Sequence, residues 1–167
     1  NMRMFRQHIV IYIASFTAMD VFGAVFTYYV VYGLHQDVGA VSGYLSVAAF
    51  VSVPSTIVYM MVMERLNVSP SAALRIAYGC IFFVLAALFY IYITHTAVPL
   101  ILFTSIFVVL GFGRSGLYYI PWNIYSFIPD VDEIVTKKRR EGIFAGVMVF
   151  TRKSTVAIAI MIVGLVL

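Results

Sequence analysis

Five membrane-spanning α-helices are the fold this sequence predicts, and three observations predict it. Hydrophobic residues make up 63% of the chain and charged residues only 11%. The apolar residues gather in five runs, each as long as the roughly 20 residues a helix needs to cross a bilayer. The cations outside those runs alternate strictly between the two ends of the helices. A water-soluble domain of 167 residues would need far more polar residues to cover its surface. The class is therefore an all-α polytopic membrane protein embedded in a lipid bilayer.

The first run, about 8–34, follows a short basic stretch holding Arg3 and Arg6, and it is too long for the apolar region of a cleavable signal peptide. The second run is 40–63, the third 72–94 and the fourth about 97–127, continuing past Pro121. The last is 142–167. Between them stand "HQDVG", "ERLNVSPS", "THTA" and a charged connector, 128–141. These runs lack the one-sided pattern of a surface helix, so length and hydropathy define them rather than periodicity. The chain opens on Asn1 and stops at Leu167 inside an apolar run, and it reads as a piece of something longer.

Lys and Arg placement predicts sidedness. Arg3 and Arg6 precede the first helix, Arg65 and Arg75 flank the second connector, and Lys137, Lys138, Arg139 and Arg140 lie in the fourth. The first and third connectors hold no Lys or Arg. The expected topology puts the N-terminus and the charged connector in the cytoplasm. The net charge of +4 is not spread over one polar face, so no nucleic-acid partner is expected. Cys80, the lone cysteine, provides no disulfide framework.

Setting aside those eight flanking cations leaves Arg114, Arg152 and Lys153, within the runs, together with the acid Asp20. An ionisable group near the bilayer centre costs at least roughly 2.5–3.5 kcal/mol on insertion scales, so it faces a cavity or a partner. Asp20 lies far from any connector and is expected to face the interior, either in a cavity or ion role or as half of a structural pair. Tyr28 and Tyr29 lie two turns beyond it, where aromatics either stack on a sugar ring or form an interfacial belt. Arg114 stands in "GFGRSGLYYIPWN", where Gly111, Gly113 and Gly116 permit close helix approach. Pro121 removes a backbone donor beyond it. That segment is either a broken helix lining a cavity, with Tyr118 at its wall, or a tight-packing face with an arginine paired to an acid. Lys153 lies about 16 Å along a helix from Gly142, near the middle of a ~30 Å core. Arg152 points about 100° away from it. Arg152 is expected to snorkel to the interface and Lys153 to face the cavity.

Chemistry of other classes is not visible. No His, Cys or Asp cluster has metal-ligand spacing, and His8, His35 and His95 stand at the ends of runs, where interfacial or loop roles are the default. No nucleophile–base pair or phosphate-cradling loop stands out, so neither an enzyme, a metal nor a cofactor is expected.

The stretch from Pro121 to Ala159, "PWNIYSFIPDVDEIVTKKRREGIFAGVMVFTRKSTVAIA", resembles the signature of the glycoside–pentoside–hexuronide:cation symporters, a branch of the major facilitator superfamily. Four elements carry the resemblance. They are Pro121 with Trp122; the acids Asp130, Asp132 and Glu133; the turn Arg139, Arg140, Glu141 and Gly142; and Lys153, eleven residues after that glycine. More loosely, the five runs are similar to helices seven to eleven of twelve, part of a C-terminal six-helix bundle. Members often carry Pro-Asp where Ser126 and Phe127 stand here, which shifts the acidic cluster toward the basic turn.

The resemblance implies cation-coupled symport of a sugar or glycoside by alternating access, with sodium or a proton as the coupling ion. It implies the missing N-terminal half of the same transporter as partner, with the principal sugar and cation carboxylates in that half. Asp20, Arg114, Lys153, Tyr28 and Tyr118 are then the residues expected at the substrate or cation cavity. Asp130, Asp132, Glu133, Arg139, Arg140 and Glu141 are expected at a cytoplasmic gate, although positive-inside topology alone accounts for Lys137 and Lys138. Glu141 also suits a helix N-terminus. The expected location is the plasma membrane. Lipid-carrying relatives share the signature, so a lysolipid or other small-solute symporter is the alternative. A non-transport assembly subunit would leave Asp20, Arg114 and Lys153 without a purpose.

Overall fold

The computed structural model describes residues 2–94, 99–137 and 141–166, with the backbone alone at 2–4, 128, 131, 132, 135, 136 and 166. Among the described residues the chain is helical throughout. The helices are α1 (Met2–Tyr28, continued by a π-helical turn at Tyr29–Gly33), α2 (Val38–Arg65), α3 (Pro70–Thr94), α4 (Leu100–Thr136) and α5 (Glu141–Val166). Each holds a segment long and apolar enough to span a membrane. Large apolar side chains such as Phe50, Phe82, Ile101 and Phe150 are exposed on them, which suits a surface whose solvent is lipid.

The helix ends follow local chemistry. Asp37 caps α2, its carboxylate accepting from the Gly39 N–H at 2.8 Å, as an N-cap side chain does. Ser69 precedes α3 and accepts from the Ala72 N–H at 3.3 Å. Pro70 follows as first helical residue, where its missing N–H costs nothing. His35, Asn67 and Lys137 close α1, α2 and α4 in the left-handed region, with φ of 52°, 49° and 56°. The π turn arises where the Leu34 N–H reaches back to the Tyr29 carbonyl rather than that of Val30.

One boundary departs from expectation. The predicted connector 128–141 is mostly helix, because α4 continues to Thr136. Pro129 lies inside α4 like Pro121, and the run of acids beyond it does not end the helix. The described positions of that connector outside helices reduce to Lys137.

The chain divides into two compact units, one holding α1 up to Val25 with the chain from Ile120 onward, the other Phe26–Tyr119. In the second, small residues on α4 set the packing. A Cβ on Gly111 would stand 2.5 Å from the Ala48 carbonyl oxygen of α2, and one on Gly113 would stand 3.0 Å from Cys80 Cβ of α3. One on Gly116 would meet Ala77 Cβ and the Tyr59 ring, each at 2.7 Å. The glycine face of "GFGRSG" is thus a tight-packing face, gripped by α2 and α3. Thr56 and Ser115 hydroxyls share a hydrogen bond at 2.8 Å between α2 and α4. Tyr29 donates to the Leu88 carbonyl of α3 at 2.8 Å. Such bonds matter in lipid, where no water competes for the groups.

Gly111→Ala is expected to cost about 1–3 kcal/mol, because the obstacle is backbone and cannot rotate away. Gly146→Ala, where a Cβ meets nothing within 4 Å, serves as control. Thermal unfolding of the two variants in detergent compares them directly, and equal midpoints would refute the packing account.

Candidate functional site

The first unit builds its polar site along one face of α1. His8, Tyr12, Phe16 and Asp20 recur every four residues, the spacing that stacks side chains on a single helix face. His8, Tyr12 and Phe16 are buried, and Asp20 is part-buried. The same face carries Ser15 and Met19, also buried.

Arg152 of α5 meets this face. Its Nη2 lies 3.0 Å from Asp20 Oδ2 and 3.3 Å from Oδ1. Its guanidinium carbon lies 4.3 Å from the centre of the Phe16 ring, within range of a cation–π contact. The Tyr12 phenol also interacts electrostatically with the guanidinium. Arg152 therefore does not snorkel outward as expected. Met148 stands one turn earlier on α5 and is almost fully buried, so Arg152 continues the inward stripe. Arginine suits the place because its planar fork spreads donors over carboxylate, phenol and ring together.

Lys153, about 100° further round α5, is exposed and has no hydrogen-bond or ion-pair partner among the described residues. Within this chain the arginine holds Asp20, and the lysine is exposed on another face of α5.

The other expected cavity residues fall in the second unit. Arg114 is part-buried and lies 5.4 Å from the centre of the Tyr118 ring, one turn along α4. No acid pairs with Arg114 among the described residues. Tyr28 stacks on Tyr32 at 6.1 Å and 16° between ring planes, and both rings are exposed.

Of the expected gate residues, Asp130 and Glu133 stand on the last turns of α4 and, with Ile134 and Lys137, line an open depression there. Asp132 belongs to α4 by its backbone, but its side chain lies outside the described residues, as do Arg139 and Arg140. Glu141 occupies the first turn of α5, where the helix dipole favours an acid. Its backbone carbonyl accepts from the Tyr125 hydroxyl at 3.3 Å. No group of three metal-ligating side chains occurs among the described residues.

Sequence reasoning missed His8. It stands near the start of a span yet is only 4% exposed, and neither ring nitrogen has a hydrogen-bond partner. The signal was available in the four-residue register that joins it to Tyr12, Phe16 and Asp20.

An intramembrane ion pair on a five-span chain narrows the family, and comparison with known proteins decides it. Residues 1–167 match the family described as MFS/sugar transport protein. The chain belongs to this family. An uncharacterized symporter from Synechocystis sp. is 44% identical over 57 residues, a match covering 34% of this chain and 10% of that protein. No solved structure matches. Membership in the MFS/sugar transport family and five apolar helices together make the chain a multi-pass membrane protein. For such a chain, the Asp20–Arg152 pair is the natural centre of attention.

Proposed function

We propose that this chain is part of a secondary active transporter that carries a sugar or glycoside by cation-coupled symport, with sodium or a proton as the coupling ion. The observation that carries the reading is the Asp20–Arg152 ion pair, set within the spans of a chain of the MFS/sugar transport family. A charge pair inside the membrane is costly unless it works. Replacing such pairs by apolar residues is often neutral or stabilising, so holding two helices together does not by itself demand one. A pair joining α1 to α5 gives a transporter two states, paired and released, which a bound cation or sugar can bias. The half-exposed Trp122 stands edge-on to the Tyr12 ring at 5.8 Å.

In this reading the described helices form five of the six helices of a C-terminal bundle that rocks against an N-terminal half around a midplane site. Lys153 faces that other half, and the acids at the end of α4 belong to a cytoplasmic gate. The chain's N-terminus is cytoplasmic, in agreement with the alternation of Lys and Arg, and the membrane is the plasma membrane. The test is uptake of radiolabelled glycosides by the full-length protein in proteoliposomes under an imposed sodium or proton gradient. Gradient-driven accumulation of at least one glycoside is expected. Accumulation of none across a broad panel sinks the sugar assignment, and uptake of a lysolipid instead would replace it.

A further inference from the structure

His8 is the buried polar group that the ion pair does not explain. A neutral imidazole carries one N–H donor and one acceptor nitrogen, and burying either without a partner is costly. Space alone would be filled better by leucine or phenylalanine. His8 lies three residues into the span Phe5–Gly33, about 4–5 Å along the helix. A group at that depth is close enough to the membrane surface to exchange a proton with water when the bundle opens.

Aromatic rings surround the imidazole. The Tyr125 ring of α4 stacks on the imidazole at 6.5 Å and 25°, and the Tyr12 ring lies at 6.4 Å. Trp122 stands edge-on to both tyrosines, at 5.8 Å from Tyr12 and 5.5 Å from Tyr125. The Tyr125 hydroxyl directs its proton at the Glu141 carbonyl, which leaves its oxygen with lone pairs to offer an N–H. Among the described residues, the titratable groups whose rings lie near His8 are Tyr12 on its own helix and Tyr125 on α4, and these are linked in turn to Arg152 and Glu141 of α5. Tyr12 joins His8 to the pair, because its ring lies 6.4 Å from the imidazole and its phenol interacts electrostatically with the Arg152 guanidinium.

We propose that His8 is a proton-binding site linked through Tyr12 to the Asp20–Arg152 pair, and that the coupling ion is a proton rather than sodium. This assignment rests on the transport reading above. The proton adds to the lone-pair nitrogen of the neutral imidazole and later returns to water; no other bond forms or breaks, and no second reactant is needed. Its arrival places a second cation on the α1 face that holds Asp20, which weakens the claim of Arg152 on that face. Sodium is a hard cation that prefers several oxygen ligands. Within this chain both Asp20 oxygens lie within 3.3 Å of Arg152 and His8 offers nitrogen, so these groups suit a proton better than sodium.

Two measurements on the full-length protein test this. Solid-state nitrogen NMR of histidine-labelled protein in lipid vesicles reads the imidazole without any transport. The His8 signal, identified by its loss in His8→Gln or His8→Asn, is expected to pass from neutral to imidazolium as the pH falls, and to shift its midpoint in Asp20→Asn. A signal that keeps one state throughout overturns the site. In proteoliposomes, a proton gradient is expected to drive glycoside accumulation, and His8→Gln to lose about tenfold of it while inserting normally. Accumulation driven by sodium alone, or unchanged in His8→Gln, overturns the proton assignment and leaves the transport reading standing. Failure of the wild type to accumulate any glycoside under either gradient overturns the transport reading, and the NMR signal then decides His8 by itself.

Discussion

Arg152→Ala is expected to lower the stability of the full-length protein by about 3 kcal/mol and to abolish gradient-driven accumulation. The substitution leaves the Asp20 carboxylate inside a span without its cation, and stranding one partner of a buried pair costs about 3–5 kcal/mol. The low end applies because Arg152 and Asp20 keep 24% and 27% of their side-chain surface exposed. Loss of the contact with the Phe16 ring adds to the cost. Asp20→Asn is the complementary lesion and strands the guanidinium instead. The double variant Asp20→Asn with Arg152→Gln removes both charges, and it is expected to recover most of the stability but none of the accumulation. That non-additivity is the mark of a direct pair. Thermal unfolding in detergent and uptake in proteoliposomes supply the two readouts. Arg152→Ala unfolding at the wild-type temperature would show that the pair does not hold α1 to α5, and a transporting double variant would remove its role in coupling.

The number of spans and the glycine face of α4 could be read from sequence because they depend on local composition. Twenty apolar residues in a row admit few structures in lipid, and Gly-x-Gly-x-x-Gly in an apolar helix invites close neighbours. The caps at Asp37 and Ser69 were equally local. The end of α4 was not, because charge density marks where a helix leaves the membrane rather than where it stops. Asp130 and Glu133 are as compatible with a helix projecting into water as with a loop, and Pro129 lies inside the helix without ending it. The partner of Asp20 depended on rotation rather than composition. Hydropathy treats Arg152 and Lys153 alike, whereas the small or buried residues Ala145, Met148, Thr155 and Ala159 place Arg152 on one stripe of α5 and Lys153 off it. His8 escaped for the same reason: its position near a run's end describes its depth, not the face it occupies.

Lys153→Ala separates transport from folding. Lys153 is exposed, touches no partner among the described residues, and stands about 100° round α5 from the stripe that packs on α1. Removing its ammonium therefore strands no acid within this chain, and the unfolding temperature is expected to stay within the change of an ordinary surface substitution, about 0.5 kcal/mol. Near mid-span, however, a lysine on an open face is costly in lipid and needs a carboxylate or a water-filled cavity opposite it. In the proposed transporter the N-terminal half provides that surface, and the resemblance places Lys153 beside the cation site. The expected result is a loss of accumulation of about 5- to 150-fold, the range of a typical coupling energy between sites, with insertion and stability unchanged. Lys153→Arg keeps the charge but not the compact ammonium, and it is expected to recover part of the accumulation at most. The contrast with Arg152 is the decisive reading, because one cation carries both stability and coupling and its neighbour coupling alone. Should Lys153→Ala accumulate substrate as the wild type does, the lysine faces lipid or water and takes no part in coupling. Should it unfold as early as Arg152→Ala, it has a structural partner outside the helices described for this chain.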